Sequence, residues 1–394
     1  MPKSNNSVLS VLFVVHYFDK MGGAVTRTTN LTKNLYKHKI DASILTTYLS
    51  KDAHTTLIRA NLSKIFIRKN QSHERIPTGF DIFTILSMII DLLKYLKRHK
   101  CDLIYVRPTP EDMLACLFVS IFKRKPLIIE LHNHPGSFEG QAFFRLYLRM
   151  VEKLMITSAR KVVVNSMAFC RELMSVHGEN LGKKVCVVPN SVDLNMFHLH
   201  DNQSLISIDS SKQIIGFIGS LKPDEDLLCL ARAAKIVLQK YQKAVFIVIG
   251  QDMGLKRELE SEIEKLGLKD RFSLIDEKPY REIPGILETF SVFVAPRLNN
   301  ERTRYAMPIK ILEAMALGVP VIATSLPPIQ ELTNDAAILI PPSDHVSLAD
   351  GIVRLLKDHN LRNEIIIRGL ERAENFDLEK IARYFAKILV YTAR

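Results

Sequence analysis

Short runs of β-branched and aliphatic residues alternate with longer stretches of helical apolar periodicity along most of the chain, the pattern of α/β architecture with parallel sheets. In the first half the spacing predicts strands at 11–15, 42–46, 103–106, 127–131, 161–164 and 185–188. Helices are expected between them over 24–36, 81–97, 111–122, 141–157 and 168–176. The alternation pauses at 197–212, where the polar stretches HLHDNQS and SIDSSK read as an interdomain linker. It then restarts, with strands predicted at 214–218, 245–249, 272–275, 292–295, 319–323 and 337–340. The helices of this second series fall at 225–240, 256–266, 283–290, 308–317, 328–332, 346–359, 361–374 and 378–391.

Two Rossmann-like domains of similar size are the economical reading, one over residues 1–200 and one over 201–375, with a last helix in 376–394. Length agrees, because 394 residues correspond to two or three domains. With 47% hydrophobic and 24% charged residues, the composition excludes a disordered chain. Charge adds something the pattern does not. The net charge is +12, yet residues 1–200 carry 28 basic and 15 acidic side chains, and the remainder 26 and 27. All the excess positive charge therefore lies in the first half, where it could meet anionic lipid, nucleic acid or phosphorylated substrates. The five cysteines are odd in number and form no Cys-x-x-Cys, so they read as buried thiols in a reducing compartment rather than a zinc site. The apolar run 8–15 is of strand length, is interrupted by Ser10, and is followed by no small-residue cleavage site. No run approaches the ~18 apolar residues of a membrane span. A cytoplasmic protein, peripheral on the cytoplasmic membrane face, is expected.

Three segments carry candidate chemistry. In HYFDKMGGAVTR, Gly22 and Gly23 follow the first strand and open a helix, a geometry that suits an anion. Arg27, one turn further on, would support the same anion; a tight strand-to-helix turn without a ligand fits the pair of glycines equally well. The spacing matches neither a dinucleotide fingerprint nor a P-loop. The second series opens with Gly216-Phe217-Ile218-Gly219-Ser220-Leu221-Lys222-Pro223-Asp224. Gly219, Ser220 and Lys222 thus sit at the carboxyl end of a strand, where open α/β sheets bind ligands. The competing reading has Ser220 and Asp224 simply capping the next helix. The third segment runs from Arg297 to Thr324. Pro308 suits the first turn of a helix that stops at Gly318, and Glu313 lies inside that otherwise apolar helix, one turn after Lys310. A buried carboxylate needs a partner. Either Lys310 supplies it at the surface, or a ligand does, ribose hydroxyls being suitable donors. His132 and His134 stand just beyond the expected strand 127–131, the right place for a site, whereas His16 reads equally as packing.

With these pieces in order, the chain resembles the retaining GT-B glycosyltransferases of the family-4 (group 1) type. The resemblance rests on Gly22-Gly23, Glu130-Leu131-His132, Val188-Pro189-Asn190-Ser191-Val192-Asp193 with Phe197, and Phe217-Ile218-Gly219-Ser220-Leu221. Ile249-Gly250, Pro308-x-Lys310-x-x-Glu313-Ala314-Met315-Ala316-x-Gly318-x-Pro320-Val321-Ile322 and Ile329-Gln330-Glu331-Leu332 complete it. The resemblance implies two Rossmann-like domains facing across a cleft, the last helix crossing back to the first domain. It implies a UDP- or GDP-sugar as co-substrate, no other cofactor and no metal. His132 and Glu313 would form the catalytic set. Gly23, Gly219, Ser220, Lys222, Arg297, Tyr305, Pro308, Lys310 and Glu313 would bind the donor, with Glu313 on the ribose hydroxyls. The helix starting near Pro308 would point its positive end at the diphosphate. Gly22, Arg27 and His134 would meet the acceptor. Two departures stand out. The family's first glutamate, eight positions before Glu313, is Tyr305 here, with Glu301 the nearest acid. Ser220 and Glu225 occupy positions where the family has Arg and Lys; Lys222, Arg297, Arg302 or Arg304 would supply the missing charge.

The basic half points to the acceptor. Lys94, Lys97, Arg98 and Lys100 follow one apolar helix, 123–125 follow another, and Arg145 and Arg149 stand among Phe143, Phe144, Tyr147 and Leu148. This mixture suits a membrane interface. An anionic membrane and a glycan or lipid-linked acceptor are the expected partners, and nucleic acid is not, since no recognised binding module is present. The rival readings are a GT-B-fold scaffold subunit that has lost transfer activity, motivated by Tyr305, Ser220 and Glu225, and a sugar-nucleotide epimerase or phosphorylase on the same fold.

Overall fold

The computed structural model describes residues 8–15, 17–18, 23–46, 48–49, 64–67, 82–107, 109–134, 142–198 and 213–394. Gly22, His16 and most of the expected linker (199–212) lie outside the described residues. Two compact units emerge: Met1–Pro189 together with Leu378–Arg394, and Asn190–Asp377.

The first unit is built on seven parallel strands: β1 (Leu9–Val15), β3 (Ile40–Thr46), β5 (Lys64–Ile67), β6 (Leu103–Arg107), β7 (Leu127–Leu131), β8 (Lys161–Val164) and β9 (Val185–Val187). Their order is β5-β3-β1-β6-β7-β8-β9, so the direction of winding reverses between β1 and β6. A two-stranded pair, β2 (Tyr17–Phe18) and β4 (Tyr48–Leu49), stands apart from this sheet. Strands buried on both faces need continuous apolar runs, and Val11–Val15 of β1 and Leu127–Ile129 of β7 supply them, with Glu130 the one charged residue of β7. Phe13 lies in register with Ile44 on one neighbour and Tyr105 on the other. The helix Leu378–Ala393 places Phe385 against both Phe13 and Tyr105, with ring centroids 6.3 and 5.3 Å away. That contact makes the last helix part of the first unit's core.

The second unit has six parallel strands: β10 (Gln213–Ile218), β11 (Ala244–Ile249), β12 (Phe272–Ile275), β13 (Val292–Ala295), β14 (Val321–Thr324) and β15 (Ile338–Ile340). The order β12-β11-β10-β13-β14-β15 reverses between β10 and β13, and a separate apolar cluster covers each face.

Several bounds differ from expectation for local reasons. The unit boundary falls at Pro189–Asn190 rather than at 200, because Val192 pairs with Asp377 and fully buried Phe197 packs on Tyr280, both in the second unit. The helix expected from 225 begins at Leu227, since Glu225 is held in an antiparallel bridge to Arg297. Asp224 does not cap it; its carboxylate instead accepts from the Asn300 amide at 2.9 Å. Pro308 is the residue before the helix Ile309–Ala316, with extended backbone, rather than a member of its first turn. That helix ends in a left-handed Gly318 (φ 63°), with Val319 N–H donating to Ala314 O and Gly318 N–H to Met315 O. Strand β14 consequently starts at Val321, two residues later than expected. Strand β5 was not foreseen. All five cysteines are unpaired.

Candidate donor site and the histidine loop

In open α/β sheets, ligands bind beyond the carboxyl ends of the strands where the winding reverses. In the second unit that point lies between β10 and β13, and the loops following these strands meet there. Leu298 N–H donates to Asp224 O and Asp226 N–H to Pro296 O. The floor of the turn is glycine by necessity: a Cβ on Gly250 would lie 1.6 Å from Gly219 O, so β11 could not otherwise pass so close to the loop.

Arg297 is the buried cation of this place, 6% exposed. Its backbone N–H donates to Thr324 Oγ1 at 2.8 Å and its Nη1 to Ala306 O at 3.4 Å. Nη2 is 3.5 Å from Glu225 Oε1, while Nε is buried without a hydrogen-bond partner. Lys222 Nζ reaches the same Glu225 oxygen at 3.7 Å. The two cations therefore share one carboxylate, both at distances too long for strong hydrogen bonds. Arg302 pairs with Asp224 at 3.3 Å, and Thr303 Oγ1 donates to Leu298 O within the turn that carries half-buried Tyr305. Arg304 is exposed and contacts Asn299.

Arg297's contact with Ala306 O leads directly to the helix Ile309–Ala316 and to Glu313. This carboxylate is 1% exposed. The Tyr280 hydroxyl donates to its Oε1 at 2.7 Å, and burial followed by the Glu313 charge raises the Tyr280 hydroxyl well above its ordinary range. Lys310 Nζ stands 3.8 Å from Oε2, which is buried and has no hydrogen bond. The Lys310–Glu313 pair is thus present, but the carboxylate end of it is in the interior. A buried acceptor without its hydrogen bond costs about 1–3 kcal/mol, more when charged. The pair of oxygens, one fixed and one unsatisfied, is suited to accept from a ligand hydroxyl.

In the first unit the polar groups gather at the carboxyl ends of β6 and β7. Arg27 is 2% exposed, and its Nε donates to Glu130 Oε1. Its Nη2 donates to Val188 O at 2.7 Å and its Nη1 to Pro189 O at 2.9 Å. The sequence reading of Arg27 as an acceptor-side anion ligand is therefore corrected: its helix, Gly23–Lys33, turns it inward onto Glu130. Burial would raise the Glu130 carboxyl, but the charge of Arg27, the contact with His132 and the charge of Arg107 outweigh it and hold it well below the usual range. His132 Nε2 lies 3.1 Å from Glu130 Oε1, and the Asn165 amide contacts His132 Nδ1 at 3.1 Å. Burial and the positive charge of Arg107 push His132 down to about 4 despite Glu130. The ring is accordingly neutral at pH 7, with Nδ1 accepting from Asn165 and the proton on Nε2 facing Glu130.

His134, two residues on, belongs to another group. Its Nδ1 is 2.8 Å from Glu152 Oε1, and His177 Nε2 is 3.2 Å from the same oxygen. Sequence spacing concealed this trio, since positions 134, 152 and 177 form no motif. Burial opposes the charge on His134, but Glu152 and then Glu172 raise its pKa. Of the sequence-derived candidates, Gly219, Ser220, Lys222 and Arg297 come together at one reversal point, tied through Ala306 to the segment of Pro308, Lys310 and Glu313. Gly23 opens its helix in the first unit. Tyr280, Asn165, Glu152 and His177 were missed.

These two reversal points, each with a polar cluster, define an α/β protein with two Rossmann-like units. The chain matches Glycosyltransferase Family 4 over residues 21–196 and Glycosyl transferases group 1 over residues 212–358. It belongs to this family and is a glycosyltransferase of the GT-B type, a class that draws its sugar from nucleotide-sugar donors. It is 25% identical over 301 residues to the UDP-Gal:alpha-D-GlcNAc-diphosphoundecaprenol alpha-1,3-galactosyltransferase of Escherichia coli, covering 71% of this chain and 75% of the relative. A Campylobacter jejuni GalNAc-alpha-(1->4)-GalNAc-alpha-(1->3)-diNAcBac-PP-undecaprenol alpha-1,4-N-acetyl-D-galactosaminyltransferase is 24% identical over 309 residues, 76% of this chain and 77% of its own. Among solved structures, Anabaena HepE in complex with UDP and glucose has the same fold. It superposes with a TM-score of 0.77 at 19% identity, over 97% of this chain and 100% of its own.

Proposed function

We propose that the chain is a retaining glycosyltransferase that moves a sugar from a UDP- or GDP-sugar to a lipid-linked acceptor at an anionic membrane surface. The observation that carries the donor half is Glu313, a buried carboxylate with one oxygen fixed by Tyr280 and the other without a hydrogen bond. Two ribose hydroxyls are the natural donors to such a carboxylate. The diphosphate then falls to Arg297, whose Nε is unsatisfied, to Lys222, and to the N-terminus of the helix Ile309–Ala316. These groups stabilise the charge that develops on the leaving phosphate without calling on a metal ion. They also stand in for the cations that Ser220 and Glu225 no longer supply. In a retaining transfer the bond from the anomeric carbon to the diphosphate oxygen breaks, and the acceptor hydroxyl attacks the same face. Its proton passes to the departing phosphate. Neutral His132 contributes as an oriented hydrogen-bonding group rather than as a base. Incubating the enzyme with UDP-, GDP-, dTDP- and ADP-sugars and a polyprenyl-diphosphate glycan tests this reading. Extension of the lipid with a UDP- or GDP-sugar is expected; donor binding with no extension in any combination would favour the scaffold alternative.

The acceptor half has its own support. Three successive helices of the first unit, Ile82–Arg98, Pro110–Lys123 and Ala142–Ser158, pack in sequence, the second against both others. Each exposes large apolar side chains: Phe83 is 78% exposed, Phe122 65% and Met150 65%. Lys94, Lys97, Arg98, Lys123, Arg124, Arg145 and Arg149 accompany them, and Lys123 lies over the Phe122 ring. Among the described residues no helix is long and apolar enough to cross a membrane. Apolar side chains entering the acyl boundary, with cations at the headgroups, give peripheral attachment. The relatives quoted above are named for diphosphoundecaprenol and PP-undecaprenol substrates. In vesicle co-sedimentation, the chain is expected to bind phosphatidylglycerol-containing bilayers and not pure phosphatidylcholine. Phe83→Ser with Phe122→Ser should weaken that binding by about tenfold or more, since each buried Phe contributes about 1.5–3 kcal/mol. Both side chains are mostly exposed, so the melting temperature should fall by no more than a few degrees.

A further inference from the structure

We propose that His134, Glu152 and His177 form a binding site for a divalent transition-metal ion, with Zn2+ the best match, which staples the loop carrying His132 to two helices. The three residues come from three separate segments. His134 lies beyond β7, Glu152 is within the helix Ala142–Ser158, and His177 is the last residue of the helix Met167–His177. One donor atom from each lies within 4.8 Å of the others. The ligand set of two imidazoles and one carboxylate is a recurrent zinc set, with water or another exogenous group completing four-coordination.

The spacing of the donor atoms is compatible with such an ion. Four-coordinate zinc with ligands at about 2.0–2.1 Å places neighbouring donor atoms roughly 3.3 Å apart. Here His134 Nδ1 and His177 Nε2 stand 2.8 and 3.2 Å from Glu152 Oε1, and the three donor atoms all lie within 4.8 Å of one another, so modest side-chain shifts bring them onto one ion. Glu152 is 1% exposed, and a buried carboxylate facing two imidazoles offers the partly desolvated, negatively biased place that a dication occupies. The surroundings orient the ligands as well. Glu172 Oε1 is 3.7 Å from His134 Nε2, the position of an outer carboxylate that fixes a metal-ligating imidazole. The Phe169 ring packs against the same imidazole in a T-shaped contact, with ring centroids 5.3 Å apart.

The ion's role is positional. His134 is two residues from His132, and fixing it fixes the end of the strand from which His132 and Glu130 project. The inference is independent of the donor-site reading, because it concerns the first unit alone, and it takes His134 away from the acceptor.

The test uses the full chain stripped with EDTA and titrated with Zn2+ in competition with a chromophoric chelator. One ion per chain is expected, bound more tightly than about 1 μM. His177→Ala and Glu152→Gln should each weaken binding by roughly a hundredfold. Titrating the wild-type chain with Co2+ gives a reading that does not depend on how the variants fold: the strong visible absorption of four-coordinate cobalt is expected. Zn2+ should also slow amide hydrogen exchange at residues 132–134. Failure of the wild-type chain to bind one ion, or equal binding by a folded His177→Ala chain, would overturn the proposal. A weak, six-coordinate cobalt spectrum, or unchanged exchange in the loop, would do so too.

Discussion

Glu313→Gln is expected to lower kcat/KM for the nucleotide sugar by about a hundredfold while the protein remains folded. The substitution keeps the volume of a side chain that is 1% exposed, and it keeps an oxygen for the Tyr280 hydroxyl. It removes the charge and turns the second acceptor into a donor, which cannot take a hydrogen bond from a ribose hydroxyl. Hydrogen bonds to charged groups contribute about 1.5–3 kcal/mol each, and each 1.36 kcal/mol is tenfold in rate or binding. Two weakened bonds therefore amount to two orders of magnitude. The loss should also appear in the affinity for the nucleoside diphosphate alone, because the ribose is held in the ground state as well as in the transition state. Tyr280→Phe should show a smaller loss in the same assays, as it frees an oxygen without removing the charge. Near-normal kinetics for Glu313→Gln would place the ribose elsewhere.

Arg27→Met should be the most destabilising of the single substitutions considered, at about 3–5 kcal/mol in urea unfolding. Both partners of the Arg27–Glu130 pair are 2% exposed, and the guanidinium also satisfies the carbonyls of Val188 and Pro189. Removing it leaves Glu130 as a buried charge beside His132, with two carbonyls losing their donor. The double variant Arg27→Met with Glu130→Leu should recover part of the loss, because the carboxylate that lost its main partner is removed with it. A single variant costing less than about 1 kcal/mol, or a double variant worse than the sum of its parts, would contradict this view of the pair as a desolvated unit.

The two sheets were legible because strands buried on both faces are largely apolar, and 292–295 begins and ends where its run does, while 127–131 carries a single charge, Glu130, near its end. Strand β5 was hidden because Lys64–Ile67 is only four residues long and no helical pattern was read between it and β3 to mark it as the next strand of an alternating series. The boundary at Pro189–Asn190 was invisible for a different reason. Val192 and Phe197 are apolar residues in an irregular stretch, and only the tertiary fold shows which core they enter. At the candidate site, Glu313 was conspicuous as an acid in an apolar helix, yet nothing near Tyr280 in the sequence marks it as the partner 33 residues away. Arg27 was misread because a basic residue near two glycines suggests an anion, whereas its position on the helix turns it toward the sheet. Glu152 and His177 occupy ordinary positions on their own helices, and their chemistry exists only where those helices meet the loop after β7.

The measurement that bears most directly on the central claim is the anomeric configuration of the transferred sugar, read by NMR on the lipid product of the donor-panel reaction. The account predicts extension of a polyprenyl-diphosphate acceptor with the anomeric configuration of the donor retained, and loss of that product in Glu313→Gln. An inverted product would contradict the front-face transfer, and release of free or epimerised sugar with no extended lipid would contradict glycosyl transfer itself.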